Sequence, residues 1–212
     1  MTETMRSRPA ANANTTPCPT DSNEHDKTTL RTTLLQRRAA IAGPNRRRYA
    51  EHIHTHLILH LAERELTDAP LLLYRSLASE VDTTALFDMT PQPCYAPVTA
   101  GDGSMQWRRV THETVWQRAG FGVEEPQNGA LWRVDEGAVV IAPLVGFDRT
   151  GTRLGMGMGC YDRWLATHRA QVDRVIGIAF SCQEVAKLPR EAHDAPLDAV
   201  ITEREVIVCR KQ

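Results

Sequence analysis

This chain is short of several things, and each shortage excludes something. No apolar run approaches the roughly 18 residues of a membrane-spanning helix. The N-terminus has no apolar core of a secretory signal, and Asp21, Glu24 and Asp26 argue against a mitochondrial transit peptide. The five cysteines, at 18, 94, 160, 182 and 209, form no CxxC pair. Odd in number and widely spread, they read as reduced thiols of a cytoplasmic protein, not a disulfide frame or a zinc site. Excess charge is missing too: 25 Lys and Arg against 26 Asp and Glu leave a formal charge of −1. No global field draws the chain to nucleic acid or an anionic membrane. The basic run Arg46-Arg47-Arg48 has no interleaved aromatic platform and reads as solvated surface. The phosphate-loop pattern GxxxxGK[ST] is absent. The dinucleotide fingerprint GxGxxG is unmet, because position 160 is Cys.

What is present fits 212 residues of one domain. Residues 1–24 are rich in Ala, Asn, Thr, Pro and Ser and read as a disordered tail. Residues 25–212 read as a single α/β domain. A first helix is expected from Asp26 as N-cap, with Leu30, Leu34, Ala40 and Ile41 near helical spacing. Gly43-Pro44 ends it and starts a second helix that buries Ile53, Leu57 and Leu61. Strands are expected at 71–74, 94–98, 105–110, 138–142, 174–180, 199–202 and 205–209, the second and third as a hairpin. Helices are expected after Glu80, with Asp82 in its first turn, and from Tyr161. Strands alternating with helices imply an open, mainly parallel sheet with helices on both faces, a three-layer Rossmann-like arrangement. No internal repeat is visible.

The densest chemistry lies between Ala138 and Ala166. An apolar run ends at Pro143; a loop with Gly151, Gly155, Gly157 and Gly159 follows; Tyr161-Asp162-Arg163 opens a helix. Glycines let backbone N–H groups converge on an anion at a helix N-terminus. The same glycines also suit a crossover that packs a helix tightly on a sheet. Lys27 and Arg31, spaced i, i+4, project from one helix face, as a solvated basic face or as phosphate cations. Asp162 is either a magnesium ligand or an acid stabilising the first helical turn. Asp198, just before a strand, is a candidate second carboxylate at the same sheet edge. Glu80 is either an N-cap or a carboxylate for ligand N–H groups. His52, His56 and His60 repeat every four residues without a matching carboxylate or cysteine, so an exposed helix face is expected rather than a metal site.

The segment FDRTGTRLGMGMGCYDR is similar to the FD-x-x-G-x-RLG-x-G-x-G-x-YDR pattern of the 5-formyltetrahydrofolate cyclo-ligase (5,10-methenyltetrahydrofolate synthetase) family. KTTLR, YRSLASEVDT, GVEEP, IGIAF and HDAPLDAVIT follow the family's order, so the resemblance covers Lys27 to Val208. It implies an ATP- and magnesium-dependent conversion of 5-formyltetrahydrofolate to 5,10-methenyltetrahydrofolate, ADP and phosphate. The formyl oxygen would be phosphorylated, and N10 would then attack the activated carbon.

By the same resemblance, ATP would contact Lys27 and Arg31 and the run Arg153, Leu154, Gly155, Met156, Gly157, Met158, Gly159, Cys160 and Tyr161. Folate would contact Glu80 and Met156 to Cys160. Arg153, Tyr161 and Asp162 would take part in catalysis, and Asp162 and Asp198 would bind Mg²⁺. A monomer without nucleic-acid or membrane partners is expected. Two other readings stand beside this one. A folate-binding protein without turnover would bind folate and consume no ATP. A nucleotide- or sugar-phosphate enzyme of the same architecture would ignore folates.

Overall fold

Leu71 and Leu72 and the run Val139 to Ala142 have no exposed surface. Strands buried on both faces belong in the middle of a parallel sheet. The computed structural model, which describes residues 19–209, places them there. Helices α1 (Pro19–Ala39) and α2 (Gly43–Glu63) precede β1 (Leu71–Leu72). The short α3 (Leu86–Met89) leads to the hairpin β2 (Cys94–Thr99) and β3 (Met105–Arg109). A two-stranded ribbon, β4 (Trp116–Arg118) and β5 (Glu124–Pro126), comes before β6 (Val139–Ala142). The small hairpin β7 (Gly146–Phe147) and β8 (Arg153–Leu154) then leads to α4 (Cys160–His168). The chain closes with β9 (Arg174–Ile178), β10 (Ala199–Ile201) and β11 (Val206–Val208).

The main sheet has seven strands in the order β11-β10-β9-β6-β1-β2-β3. Its five inner strands run parallel, and an antiparallel partner closes each edge. Alternation sorts the side chains between two faces. Leu71, Val139, Ile141, Ile176 and Ile201 pack under Ile53, Leu57 and Leu61 of α2. Leu72, Val140, Val175 and Val200 pack under Trp164 and Leu165 of α4. With both faces covered, the carboxyl ends of the inner strands are the place left for a ligand. A third cluster, Leu34, Val145, Leu154 and Leu188, seats α1 against the β7–β8 hairpin just beyond β6.

Several expectations need correction. The expected tail lies mostly outside the described residues, and α1 begins at Pro19, so Asp26 sits inside a helix and caps nothing. The helix expected after Glu80 is only Leu86–Met89. Asp82 precedes it, where its carboxylate accepts the Thr84 N–H at 2.9 Å; this local bond competes with helix formation. The β4–β5 ribbon and the β7–β8 hairpin were not expected, being too short for a periodic signal. Within FDRTG, the Asp148 carboxylate accepts N–H groups of Thr150 and Thr152 on one oxygen and of Leu188 on the other. That aspartate builds the hairpin turn and pins a distant loop to it.

The histidine stripe is not an exposed face throughout: His52 is exposed, but His56 is half-buried with Nδ1 2.9 Å from the Thr202 carbonyl, and His60 is buried; neighbouring His54 Nε2 lies 2.6 Å from the carbonyl of Asp82. Arg46 is not merely solvated, since it donates to the carbonyls of Arg38, Ile41 and Ala78 and so closes the end of α1. Cys94, Cys160, Cys182 and Cys209 are free thiols. No helix among the described residues is long and apolar enough to cross a membrane.

Ile141, fully buried on the α2 face, gives a direct check on this packing. Ile141→Ala is expected to cost roughly 2–5 kcal/mol, seen as a lower urea midpoint with an unchanged slope. An unchanged midpoint would mean that α2 does not pack on β6 as described.

Candidate functional site

Helix α1 lines the carboxyl edge with cations. Lys27 Nζ donates to Glu191 Oε1 at 2.7 Å and Asp194 Oδ2 at 3.2 Å. One turn on, Arg31 Nε donates to the Gly155 carbonyl at 2.9 Å. Two further turns on, Arg38 Nη1 lies 3.4 Å from Glu80 Oε1. One helix thus touches the loop after β1, the glycine loop and the segment joining β9 to β10. Burial by itself would depress the Lys27 ammonium, but the bonds to Glu191 and Asp194 outweigh it and hold its pKa above the usual value.

A second knot sits at the start of α4. Arg153 Nη2 donates to Asp162 Oδ1 at 2.6 Å, and the Ala195 N–H donates to the same oxygen at 3.0 Å. Arg153 Nη1 also donates to the Ala195 carbonyl. Only 4% of the Arg153 side chain is exposed, so its guanidinium faces these partners rather than open solvent. The knot fixes Asp162 against Ala195, whose chain neighbour Asp194 is held by Lys27.

Asp198 is elsewhere. It precedes β10, whose Ala199 pairs in parallel with Ile176 of β9, so it stands at the amino edge of the sheet. Both its oxygens take Arg169 Nη2, at 2.9 and 2.7 Å, and Oδ2 also takes the Val175 N–H. The expected pairing of Asp162 with Asp198 at one edge is not assembled. No group of three or more His, Cys, Asp or Glu arranged for a metal occurs among the described residues.

Leu154 is buried in β8, whereas Met156 and Met158 are half exposed, at 54% and 50%. Gly157 and Gly159 hold φ near 100° and 64°, which side chains rarely adopt. Gly159 is the N-cap of α4 and supplies no capping side chain, which leaves first-turn N–H groups available for an anion. Cys160, half buried, opens the helix. Arg163 of the same turn donates to the Gly103 carbonyl at 3.4 Å, tying the β2–β3 turn to the loop.

Tyr161 turns inward, its ring edge-on to Trp107 at 6.0 Å. The Tyr161 hydroxyl and Trp107 Nε1 are enclosed without a partner among the described residues. Such atoms cost about 1–3 kcal/mol each unless a ligand or water meets them. Burial, then the charge of Glu80, pushes the Tyr161 phenol far above its usual range and raises that of Tyr74 too. Both remain protonated donors. Glu80 is no N-cap: its Oε2 accepts the N–H of Leu77, three residues earlier, at 2.8 Å. Burial raises its pKa, opposed by that N–H and by Arg38.

Sequence reasoning passed over Arg38, Trp107, Glu191 and Asp194. The spacing of Arg38, seven residues after Arg31, was a usable signal, because two helical turns return to one face. Asp194 stands four residues before Asp198, and only the fold tells them apart.

Comparison with known proteins follows the same residues. The model of the 5-formyltetrahydrofolate cyclo-ligase family matches residues 23–203. The 5-formyltetrahydrofolate cyclo-ligase of Escherichia coli strain K12 is 34% identical over 163 residues, covering 68% of this chain and 87% of that protein. That of Mycolicibacterium smegmatis is 30% identical over 192 residues, covering 86% and 96%. The solved structure of Aquifex aeolicus 5,10-methenyltetrahydrofolate synthetase superposes with a TM-score of 0.73 at 30% identity, covering 88% of this chain and 94% of that one.

The Arg153 knot predicts a local effect. Arg153→Met removes a charge-assisted bond worth about 1.5–3 kcal/mol, so amide exchange at Ala195 should quicken roughly ten-fold or more while β6 stays protected. Unchanged exchange at Ala195 would show that Arg153 does not hold that segment.

Proposed function

The chain belongs to the 5-formyltetrahydrofolate cyclo-ligase family, and we propose that it converts 5-formyltetrahydrofolate and ATP into 5,10-methenyltetrahydrofolate, ADP and phosphate with the help of Mg²⁺. The observation that carries this reading is the α1 edge. Along a single helix, Arg38 meets Glu80, the carboxylate suited to a pterin, Arg31 meets the glycine loop, and Lys27 meets Asp194, the chain neighbour of the Ala195 that bonds Asp162.

The chemistry asks for alignment and charge neutralisation, not for a nucleophile from the protein. The formyl oxygen attacks the γ-phosphorus and ADP leaves. N10 then attacks the formyl carbon, gives up its proton to solvent, and phosphate departs as the methenyl bridge forms. Glu80 accepts ring N–H groups of the folate. The Tyr161 hydroxyl and Trp107 N–H, both enclosed and unpartnered among the described residues, donate to it. Met156 and Met158 lie soft against the ring system. First-turn amides of α4 and the Arg31 guanidinium meet phosphate oxygens. Lys27 reaches them by exchanging Glu191 and Asp194 for phosphate. Arg153 positions Asp162 instead of facing the nucleotide.

For the metal, the donor set fits Asp162 and Asp194 and not Asp198, whose two oxygens are engaged by Arg169 and a backbone N–H. Mg²⁺ needs only one or two carboxylates besides phosphate oxygens and water. When bound it neutralises phosphate charge. Free thiols at the four described cysteines suit a reducing cytoplasm.

The deciding experiment mixes purified protein with 5-formyltetrahydrofolate, with and without Mg-ATP, and follows methenyl-folate absorbance. A rise that needs both is expected. Folate binding without a rise would leave a binding protein, and ATP or sugar-phosphate binding without a folate response would leave a different phosphate enzyme. Two variants separate the carboxylates. Asp194→Asn should raise the magnesium requirement roughly ten-fold or more, while Asp198→Asn should leave it within about two-fold. The reverse pattern would restore Asp198 as the ligand. Lys27→Ala should raise the ATP requirement more than the folate requirement; an unchanged ATP requirement would return Lys27 to a purely structural role.

A further inference from the structure

Arg38, the third cation on α1, is more deeply buried than the other two. It is 2% exposed. Its Nη1 reaches Glu80 Oε1 and the Leu144 carbonyl, each at 3.4 Å, and its Nη2 donates to Ser79 Oγ at 3.0 Å. Its Nε is enclosed with no partner among the described residues. For stability alone this is a poor arrangement, because well-packed apolar side chains often do as well as a buried ion pair. A guanidinium kept here with long bonds and an orphan N–H points to a task other than holding the fold.

The surroundings specify the task. Glu80 is the carboxylate at the end of the loop after β1, and its Oε2 is fixed by the Leu77 N–H. The charged and titratable groups acting on it are Arg38 from α1, Tyr74 from the end of β1 and Tyr161 from α4. Both tyrosines are protonated donors, so Arg38 is the cation of this set. The Leu144 carbonyl and Ser79 hydroxyl orient its guanidinium plane. The Leu144 carbonyl is in turn held by Gln183 Nε2 at 3.1 Å.

We propose that Arg38 is a positioning residue that keeps the buried Glu80 carboxylate charged and oriented, ready to accept the ring N–H groups of the folate. This role rests on the proposed function, in which Glu80 meets the substrate. Burial favours the protonated acid, and a protonated Glu80 would offer a donor where the ligand needs an acceptor. The sign follows directly. Affinity that needs the carboxylate is present above the pKa of Glu80 and is lost as pH falls through it. Burial has already moved that value above the usual glutamate range. Removing the Arg38 charge moves it further up, so the acid limb of folate affinity shifts toward alkaline pH.

The test uses the full chain and three variants, Arg38→Met, Arg38→Gln and Arg38→Lys, with KM for 5-formyltetrahydrofolate and for ATP measured from about pH 5 to about pH 9. Arg38→Met should raise the folate KM about ten-fold or more at neutral pH and leave the ATP KM within about two-fold. Its acid limb should move up by roughly one pH unit or more. Arg38→Lys should recover most of the limb position, since an ammonium keeps the charge though not the planar fork. If Arg38→Met does not fold, Arg38→Gln against Arg38→Lys makes the same comparison. An unmoved limb, or folate and ATP KM rising together, would overturn the role and leave Arg38 as a tether between α1 and the loop. A wild-type chain that binds no 5-formyltetrahydrofolate would overturn the proposed function and this role together. Wild-type turnover with an unmoved limb in the variants would remove this role alone.

Discussion

Helix α1 presents three cations to the carboxyl edge of the sheet, and each engages a different loop. Lys27 holds the segment before β10, Arg31 holds the glycine loop, and Arg38 holds the loop after β1. Between Arg31 and Arg38, Leu34 is fully buried against Val145, Leu154 and Leu188, so the helix cannot rotate without opening an apolar seam. The charges are therefore delivered at fixed places by hydrophobic packing. Positions of this kind matter most in a reaction whose barrier is lowered by charge placement, because no reorganisation is then needed at the reacting atoms.

The three cations differ in how readily they let go. Arg31 gives Nε to one carbonyl, and its other nitrogens make no hydrogen bond among the described residues. Lys27 is balanced by two carboxylates, so a phosphate must compete with them. Arg38 is enclosed and stays where it is. The gradient runs from the more enclosed pair at Glu80 to the less enclosed one at Asp194. A charge cluster that pairs with itself also avoids leaving buried ions uncompensated, which is far costlier than a paired arrangement.

The open sheet was legible because the strands that matter are long enough to speak for themselves. Val139 to Ala142 and Val175 to Ile178 are continuous apolar runs, and Gly43-Pro44 punctuates the two helices as expected. The short strand pairs outside the main sheet were not legible. Gly146-Phe147 and Arg153-Leu154 are two residues each, and their pairing depends on an Asp148 turn that periodicity does not report. The site was legible as a neighbourhood and not as a set of contacts. Spacing along the chain put Lys27 and Arg31 on one face and gathered the glycines. It could not tell that Arg153 points inward to Asp162, nor which aspartate of HDAPLD stands beside Asp162. Asp194 and Asp198 are four residues apart, but the chain between them crosses from the carboxyl edge to the amino edge.

Trp107 and Tyr161 extend the argument to the ligand. Trp107 belongs to an antiparallel edge strand and Tyr161 to the first turn of α4, so they meet only because β3 closes that side of the sheet. Trp107 also stacks edge-on with Trp164, and Trp132 follows on its far side, so the indole is fixed by aromatic packing. A rigid indole N–H and a phenol kept protonated by burial are two donors that can neither turn away nor ionise. Glu80, close enough for its charge to bear on the phenol, supplies an acceptor of fixed direction. A ring carrying both N–H and carbonyl groups along its edge, as a pterin does, satisfies donors and acceptor together. An apolar ligand would leave all three unmet, and a simple anion would be repelled by the carboxylate. The polarity pattern of these three groups thus suits the folate end of the proposed reaction, as the cations of α1 suit its phosphate end.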